Sequence, residues 1–581
     1  MRVRRAVAAA VTIAVGVGVV DGAVAAGPAA PAGDEDARFA PSRLAPGGKH
    51  VWVTVPGVDS DRDGRADRVH VSYRLPKRPG RVPAILEASP YFGGFVEGVA
   101  NHGVDHPLHV PAAPVPTSYE ELFLSKGYAY VMAESIGSGR STGCPVSGGV
   151  AETKAMAAVV RWLGGKTYAR DAGGRKVKAF WSTGRSGMIG VSYNGTLANA
   201  VAATGVPGLK AIVPISAISD WHDYYRSQGA VRAPGGYQGE DADVLARFVL
   251  TRKNPGACRQ VIARLAREQD RTTGDMSSFW ASRSYRPHAR KVKAAVLSLH
   301  GLDDWNVMSD QSGRWLRELD RAGVPHQAWW HAEGHGDPLF YNDPQWRRQL
   351  VDWMDRWVKG RANGVMRRPG SVVSDGGRHW SHQTWPAPGS RTVSLRPAPG
   401  GRTAGPLGLG EPAYRSERLY DDARFSLAQL AKKPTSRHRL LYRTPRLRAP
   451  LELSGLASAN LTAAFGARAA NVSVGLAVIA PSGRTRLLSE GWLDPQNVAG
   501  TPWRGRALQP GTPYSMTVRF DMVLQHRIAA GSRLALVVAS SDRHYTIRPK
   551  PGTSMTVRLG RTALNLPVIG GAGAVEAALG G

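Results

Sequence analysis

Between residues 84 and 331, short, mostly apolar runs alternate with stretches of helical periodicity. The runs are Ala84-Ile85-Leu86-Glu87-Ala88, Tyr128-Ala129-Tyr130-Val131-Met132, Ser186-Gly187-Met188-Ile189-Gly190, Ala211-Ile212-Val213-Pro214 and Ala295-Val296-Leu297-Ser298-Leu299. The helical stretches cover roughly 151–163, 193–204 and 309–322. A strand with no polar face must be covered on both sides, which means a mostly parallel sheet with helices on both faces. Ligands of such sheets bind outside the carboxyl ends of the strands, so the chemistry is to be sought in the loops that follow the runs. Residues 216–290 interrupt the rhythm between the fourth and fifth runs. They are polar, helical and aromatic, as a cap over those strand ends would be.

The flanks have a different texture. His50-Val51-Trp52-Val53-Thr54-Val55 and Val69-His70-Val71-Ser72-Tyr73 alternate as an antiparallel ribbon does. Between them, Asp59-Ser60-Asp61-Arg62-Asp63-Gly64 has the spacing of the first half of a calcium loop, but His70 stands where the closing bidentate Glu belongs. A tight Asp/Gly hairpin turn is the favoured reading, and calcium binding stays open. After about Gly370, alternating segments at 451–456, 473–478, 514–518 and 534–538 are separated by Gly/Pro turns and read as a β-sandwich of jelly-roll type.

At the amino end, Arg2, Arg4 and Arg5 precede an apolar run from Ala6 to Val20 and then Ala23-Val24-Ala25. That is the pattern of a secretory signal peptide cleaved near Ala25, with the run too short and too rich in Ala and Gly for a transmembrane anchor. The expected layout is therefore signal peptide 1–25, flexible leader 26–48, core 49–215, cap 216–290, core again 291–369 and sandwich 370–581. In an oxidising compartment the two cysteines, Cys144 and Cys258, can form a disulfide; two separate buried thiols are the alternative. Lys and Arg outnumber Asp and Glu by 75 to 45, a net charge of +30. Such a charge implies attraction to an anionic cell envelope. The basic residues are scattered, with no nucleic-acid module, so no specific nucleic-acid partner is expected.

Met188-Ile189-Gly190-Val191-Ser192-Tyr193-Asn194-Gly195-Thr196 is an apolar strand, a tight turn and the start of a helix. In that context Ser192 reads as a nucleophile exposed on a serine elbow, although Asn194 stands where the usual motif has glycine and Gly195 follows one place late. A nucleophilic serine needs a base, and the base needs an orienting carboxylate, in the order Ser, acid, His for this type of fold. The loops with Asp303-Asp304 and with His331 and His335 follow in that order, each after a strand-like segment. Spacing alone does not choose between the two acids or between the two histidines.

Four segments carry a resemblance. Gly190-Val-Ser-Tyr-Asn-Gly-Thr-Leu, Pro214-Ile-Ser-Ala-Ile-Ser-Asp-Trp-His-Asp-Tyr-Tyr-Arg, Gly235-Gly-Tyr-Gln-Gly-Glu-Asp-Ala-Asp-Val-Leu and Gly301-Leu-Asp-Asp-Trp-Asn-Val resemble the X-prolyl dipeptidyl-peptidase family of serine peptidases. Its relatives include cocaine esterase and the α-amino-acid ester hydrolases. The resemblance runs from about residue 45 to 570 and implies an α/β-hydrolase core, an inserted helical cap and a C-terminal jelly roll. It makes Ser192 the nucleophile, Asp304 the acid and His335 the base, with Asp303 and His331 as structural neighbours. It also implies an oxyanion hole from the Tyr193 backbone N–H and the Tyr91 hydroxyl. In the cap, Trp221, Tyr224 and Tyr225 become walls of a proline slot, and Glu240 an anchor for the substrate ammonium. Asp241 and Asp243 are possible helpers to that anchor. Gly137-Ser138-Gly139-Arg140-Ser141-Thr142-Gly143 departs from the family's usual Asp-x-Arg-Gly loop. The long N-terminal helical domain used by some members for dimer formation is missing, so their oligomeric state is not carried over.

The expectation is a secreted serine exopeptidase that releases Xaa-Pro dipeptides from free N-termini, with peptides bearing proline second as partners and no metal or cofactor in the chemistry. An α-amino-acid or acyl ester hydrolase on the same scaffold is the near rival. A basic cell-surface binding protein with a non-catalytic core is the distant one.

Overall fold

The computed structural model describes residues 48–77, 80–96, 99, 102, 119–232, 240–341, 343–547 and 553–580. The expected signal peptide, the leader up to residue 47 and the Gly235–Gly239 motif lie outside them. Among the described residues a twelve-stranded sheet forms from β1 (Lys49–Thr54), β2 (Arg68–Arg74), β3 (Val82–Ser89), β4 (Ala129–Glu134), β5 (Ala169–Arg170), β6 (Lys176–Val177), β7 (Ser182–Val191), β8 (Leu209–Ile215), β9 (Ala295–Gly301), β10 (His326–His331), β11 (Ser371–Asp375) and β12 (Arg378–His382). The order is β12-β11-β10-β9-β8-β7-β3-β4-β2-β1-β5-β6. From β11 to β4 every pairing is parallel. The ribbon of β1 and β2 is antiparallel, with Lys49 opposite Tyr73 and Val53 opposite Val69.

The apolar runs are buried on both faces, as their composition requires. On β3, Ala84, Leu86 and Ala88 join one core with residues of the helices Val150–Leu163 and Tyr193–Ala202. Ile85, between them, points into the opposite core beside Trp329, Trp346 and Trp353. The sheet reaches further along the chain than the sequence suggests. Residues 371–382 were expected in the sandwich but pair as β11 and β12 at the edge of this sheet. Short alternating edge strands look alike in either setting, and only the partner strand tells them apart.

Between β8 and β9 lie the short helices Trp221–Tyr225, Ala242–Phe248, Arg259–Glu268 and Ser278–Ala281. They form the cap. Cys144 and Cys258 are joined in a disulfide, with Cα atoms 5.5 Å apart, which ties the loop after β4 to the cap. Beyond β12 the chain forms a largely antiparallel β-sandwich. Its long strands Leu451–Phe465 and Pro513–Ile528 pair from Leu451↔Ile528 to Ala464↔Pro513. Leu453, Val474, Phe520, Leu536 and Leu566 sit in its core. No helix among the described residues is long and apolar enough to cross a membrane.

Candidate active site

Ser192 lies where β7 ends and the helix Tyr193–Ala202 begins, at φ 61° and ψ −124°. A residue bearing a side chain holds such a backbone only where its surroundings enforce it. Here Ser192 N donates to Ile215 O at 2.8 Å, and Thr196 N donates to Ser192 O at 2.9 Å. The displaced glycine of the motif has a steric explanation. A Cβ on Gly195 would lie 2.5 Å from Gly190 O and 2.9 Å from Ile215 N, so the helix can press onto β7 and β8 only with glycine there. A Cβ on Gly190 would meet that of Asn194 at 2.4 Å. Glycine before the serine therefore makes room for the asparagine after it. Asn194 Nδ2 in turn donates to Glu87 Oε1 at 3.1 Å, and the Tyr130 hydroxyl donates to Glu87 Oε2.

The candidate acids and bases stand at the ends of β9 and β10 and on the loops after them. Leu302 N donates to His331 O at 2.7 Å and Asp303 N to Glu333 O at 3.2 Å, which holds the two loops together. The structure separates the two acids. Asp304 is fully buried and accepts from the amides of Asn306 (3.1 Å) and Val307 (3.0 Å), while its Oδ2 lies 2.7 Å from His335 Nδ1. Asp303 keeps 44% of its side chain exposed and accepts from Trp305 Nε1. The two histidines separate as well. His331 is buried and does not meet either acid, and burial with the nearby His300 pushes it down to about 4. Burial opposes ionisation of Asp304, yet the charges and hydrogen bonds of His335 and His300 outweigh it and hold the carboxyl below the usual range. His335 Nε2 is buried with no hydrogen-bond partner among the described residues. With Nδ1 fixed on the acid, that nitrogen is left for a proton acceptor's role.

Tyr91 follows β3, and its ring lies 6.1 Å from that of Tyr193, edge on. Burial and the charges of Glu240 and Glu152 push its phenol well up, so the hydroxyl keeps its proton and can donate. The Tyr193 side chain does other work. Its hydroxyl donates to Glu152 Oε2 at 2.7 Å and accepts from Gly148 N at 2.9 Å, which leaves the backbone N–H, first in its helix and without an intrahelical acceptor.

The cap residues divide into wall and support. Trp221 and Tyr225 are fully buried, and Tyr224 is 5% exposed. Trp221 packs against Tyr193 and Tyr225, and its Nε1 donates to the Tyr285 hydroxyl at 3.0 Å. The expected wall tryptophan is thus a strut behind the site. The Tyr224 hydroxyl donates to Asn306 Oδ1 at 3.0 Å, next to Asp304. Glu240 is buried, and Tyr225 donates to its Oε1 at 3.0 Å. Burial, with some help from the Asp241 charge, pushes Glu240 up to about 7 against that hydrogen bond.

Asp241 does not fit the expected helper role. Its carboxylate takes Arg226 Nη2 at 2.7 Å, Arg226 Nη1 at 3.2 Å, Arg271 Nη1 at 3.2 Å and the Ala242 amide at 3.0 Å, which leaves no capacity for a ligand. It caps the helix Ala242–Phe248 and anchors the cap. Asp243 is likewise engaged, with His102, Gln269 and Arg247.

Three contributors were missed in the sequence. Glu152 takes bonds from Ser135, Gly148 and Tyr193, and burial pushes its carboxyl up. Glu87 supports Asn194, and His300 Nε2 lies 3.3 Å from Asp304 Oδ2. The signal for Glu87 was present: one acid inside an otherwise apolar strand needs buried partners.

Comparison with known proteins places the chain in a family. The profile of X-Pro dipeptidyl-peptidase (S15 family) matches residues 63–337, and that of the X-Pro dipeptidyl-peptidase C-terminal non-catalytic domain matches residues 363–574. A Bacillus anthracis protein provisionally named Xaa-Pro dipeptidyl-peptidase is 41% identical over 524 residues, covering 88% of this chain and 86% of its own. Among solved structures, an α-amino acid ester hydrolase is 17% identical with a TM-score of 0.63, over 94% of this chain and 100% of its own. A CocE/NonD family hydrolase from Staphylococcus aureus is 14% identical with a TM-score of 0.66, over 92% and 99%. These two show the α/β-hydrolase fold. With both parts of the family profile matched in order and a relative this similar along most of its length, the chain belongs to the X-Pro dipeptidyl-peptidase (S15) family of serine peptidases.

Proposed function

We propose that the protein is an exported exopeptidase that releases Xaa-Pro dipeptides from free peptide N-termini through an acyl-enzyme on Ser192. His335 Nε2 takes the Ser192 proton as the hydroxyl attacks the prolyl carbonyl, and Asp304 holds the imidazole in the productive tautomer. The Tyr193 N–H and the Tyr91 hydroxyl stabilise the oxyanion. His335 then returns the proton to the leaving amine, and water admitted to the same base releases the dipeptide. The observation that carries the dipeptidyl reading is Glu240, a buried cap carboxylate whose hydrogen-bond partner among the described residues is Tyr225. An ammonium beside it would restore its charge and form a strong charge-assisted hydrogen bond. The basic amino end and small-residue site at Ala25 support export, and the charge of +30 supports retention at an anionic envelope.

The deciding experiment compares release from Ala-Pro and Gly-Pro amides with hydrolysis of simple acyl esters, using Ser192→Ala as the control. The expected result is Xaa-Pro release that requires Ser192. Rapid ester hydrolysis with no cleavage of any free-amine Xaa-Pro amide would assign the site to ester chemistry instead. Silence on both, together with no fluorophosphonate labelling of Ser192, would leave a binding protein on a hydrolase scaffold.

A further inference from the structure

Peptide hydrolysis makes no use of the turn between β1 and β2, where three carboxylates crowd together far from any role in the triad. Asp59, Asp61 and Asp67 each offer one oxygen, and all three oxygens lie within 4.8 Å of one another. Asp61 is the telling member. Its side chain is 2% exposed, its Oδ2 accepts from Arg252 Nη1 at 2.5 Å, and its Oδ1 is buried with no hydrogen-bond partner among the described residues. A buried carboxylate oxygen left unpaired carries its full desolvation penalty, so such an atom calls for an occupant.

The neighbours define the charge balance. Among the described residues Arg252 is the cation in ion-pair contact with the group, and its Nη1 is shared with Gly143 O at 2.6 Å. Asp67 is 1% exposed and accepts from Ser60 N at 3.0 Å and Ser60 Oγ at 2.5 Å. Asp59 accepts from the amides of Asp63 and Gly64, each at 3.0 Å, and so closes the turn.

We propose that this turn is a calcium site that fastens the N-terminal ribbon to the base of the cap. Asp59, Asp61, Asp63 and Asp67 occupy the first, third, fifth and ninth places of a calcium loop, and Gly64, at φ 81°, occupies the sixth. All-oxygen ligands of this charge suit a hard divalent cation of flexible coordination. His70, at the closing place, is taken up by Glu134 at 3.0 Å, so the site lacks the bidentate Glu and binds more weakly than a sensor loop. The ion's position gives it work to do. Ser60 Oγ accepts from the Cys144 amide at 2.8 Å, beside the Cys144–Cys258 disulfide, and Arg252 belongs to the cap. Calcium would thus bind a single junction of ribbon, loop and cap.

The test titrates the full, chelator-treated protein with calcium chloride in a calorimeter and follows its thermal unfolding. One saturable site with a dissociation constant of about 10⁻⁴–10⁻³ M and a raised unfolding midpoint are expected. Asp61→Asn and Asp59→Asn should each weaken binding about tenfold or more. Asp59→Asn keeps an oxygen for the turn amides and so guards against loss of fold. No saturable heat with the unaltered protein overturns the proposal, as does unchanged calcium affinity in both variants.

Discussion

At the scale of single residues, Glu240 gives the sharpest consequence. Burial outweighs the hydrogen bond from Tyr225 and pushes its carboxyl up to about 7. Below that pH it is protonated and cannot pair with an ammonium. A peptide's amino group loses its own proton near about 7.7–8.0, so for Xaa-Pro amides kcat/KM should climb through about 7 and fall above about 8. Glu240→Gln should lower kcat/KM on these amides about 10–100-fold through KM and leave acyl esters without an amine unchanged. A pH profile that is the same for both substrate types would count against the amine anchor. Much of this site was legible in the sequence, since the strand–turn–helix context located Ser192 and chain order located the acid and base loops. Spacing left Asp303 and Asp304 open and the family resemblance pointed to Asp304; burial and contact, which a pair of identical neighbours in a loop cannot express, supply the physical difference. Glu240 and Asp241 make the same point. They are adjacent and chemically alike, yet Arg226 and Arg271 consume one of them and leave the other poised.

At the scale of elements, the cap depends on long-range ties because its helices are short. The Cys144–Cys258 link spans 114 residues of chain. Closing so long a loop restricts the unfolded ensemble, and removing such a link costs about 2–5 kcal/mol. A Cys144→Ser, Cys258→Ser double variant should therefore unfold at a lower temperature than the parent in a calorimeter, with reduction of the parent reproducing the shift. An unchanged midpoint would mean that the packing of Trp221, Tyr225 and Trp280 alone holds the cap. The parallel strands were plain from sequence because a run buried on both faces has no polar alternation to blur it. The last two, β11 and β12, were not. They sit at an edge, alternate, and carry no local sign of which sheet they complete.

At the scale of the whole molecule, the sandwich is docked onto the core and cap by polar contacts as well as apolar ones. Ser227 Oγ donates to Asp521 Oδ2 at 2.6 Å, Gln228 Nε2 to Trp492 O at 2.9 Å, and Met276 N to Pro502 O at 2.7 Å. Val523 N donates to Ser309 Oγ at 2.9 Å, at the head of the helix Asp310–Arg321. Cut free, either part would exchange these bonds for bonds to water, losing about 0.5–1.5 kcal/mol for each, and would bare the apolar surface around them. Thermal unfolding should therefore show one cooperative transition, with calorimetric and van't Hoff enthalpies in agreement. Two separated transitions would contradict it. The segment 227–232 also changes how the entrance to Ser192 should be pictured. Its residues are wedged between the helices of the cap and the strands of the sandwich, with Ile547 N donating to Val231 O at 2.8 Å. A hinged lid needs one free edge, and the described residues of this segment are tied to the sandwich. The described cap thus behaves as masonry, and a peptide would be admitted by the fit of its end into a standing doorway.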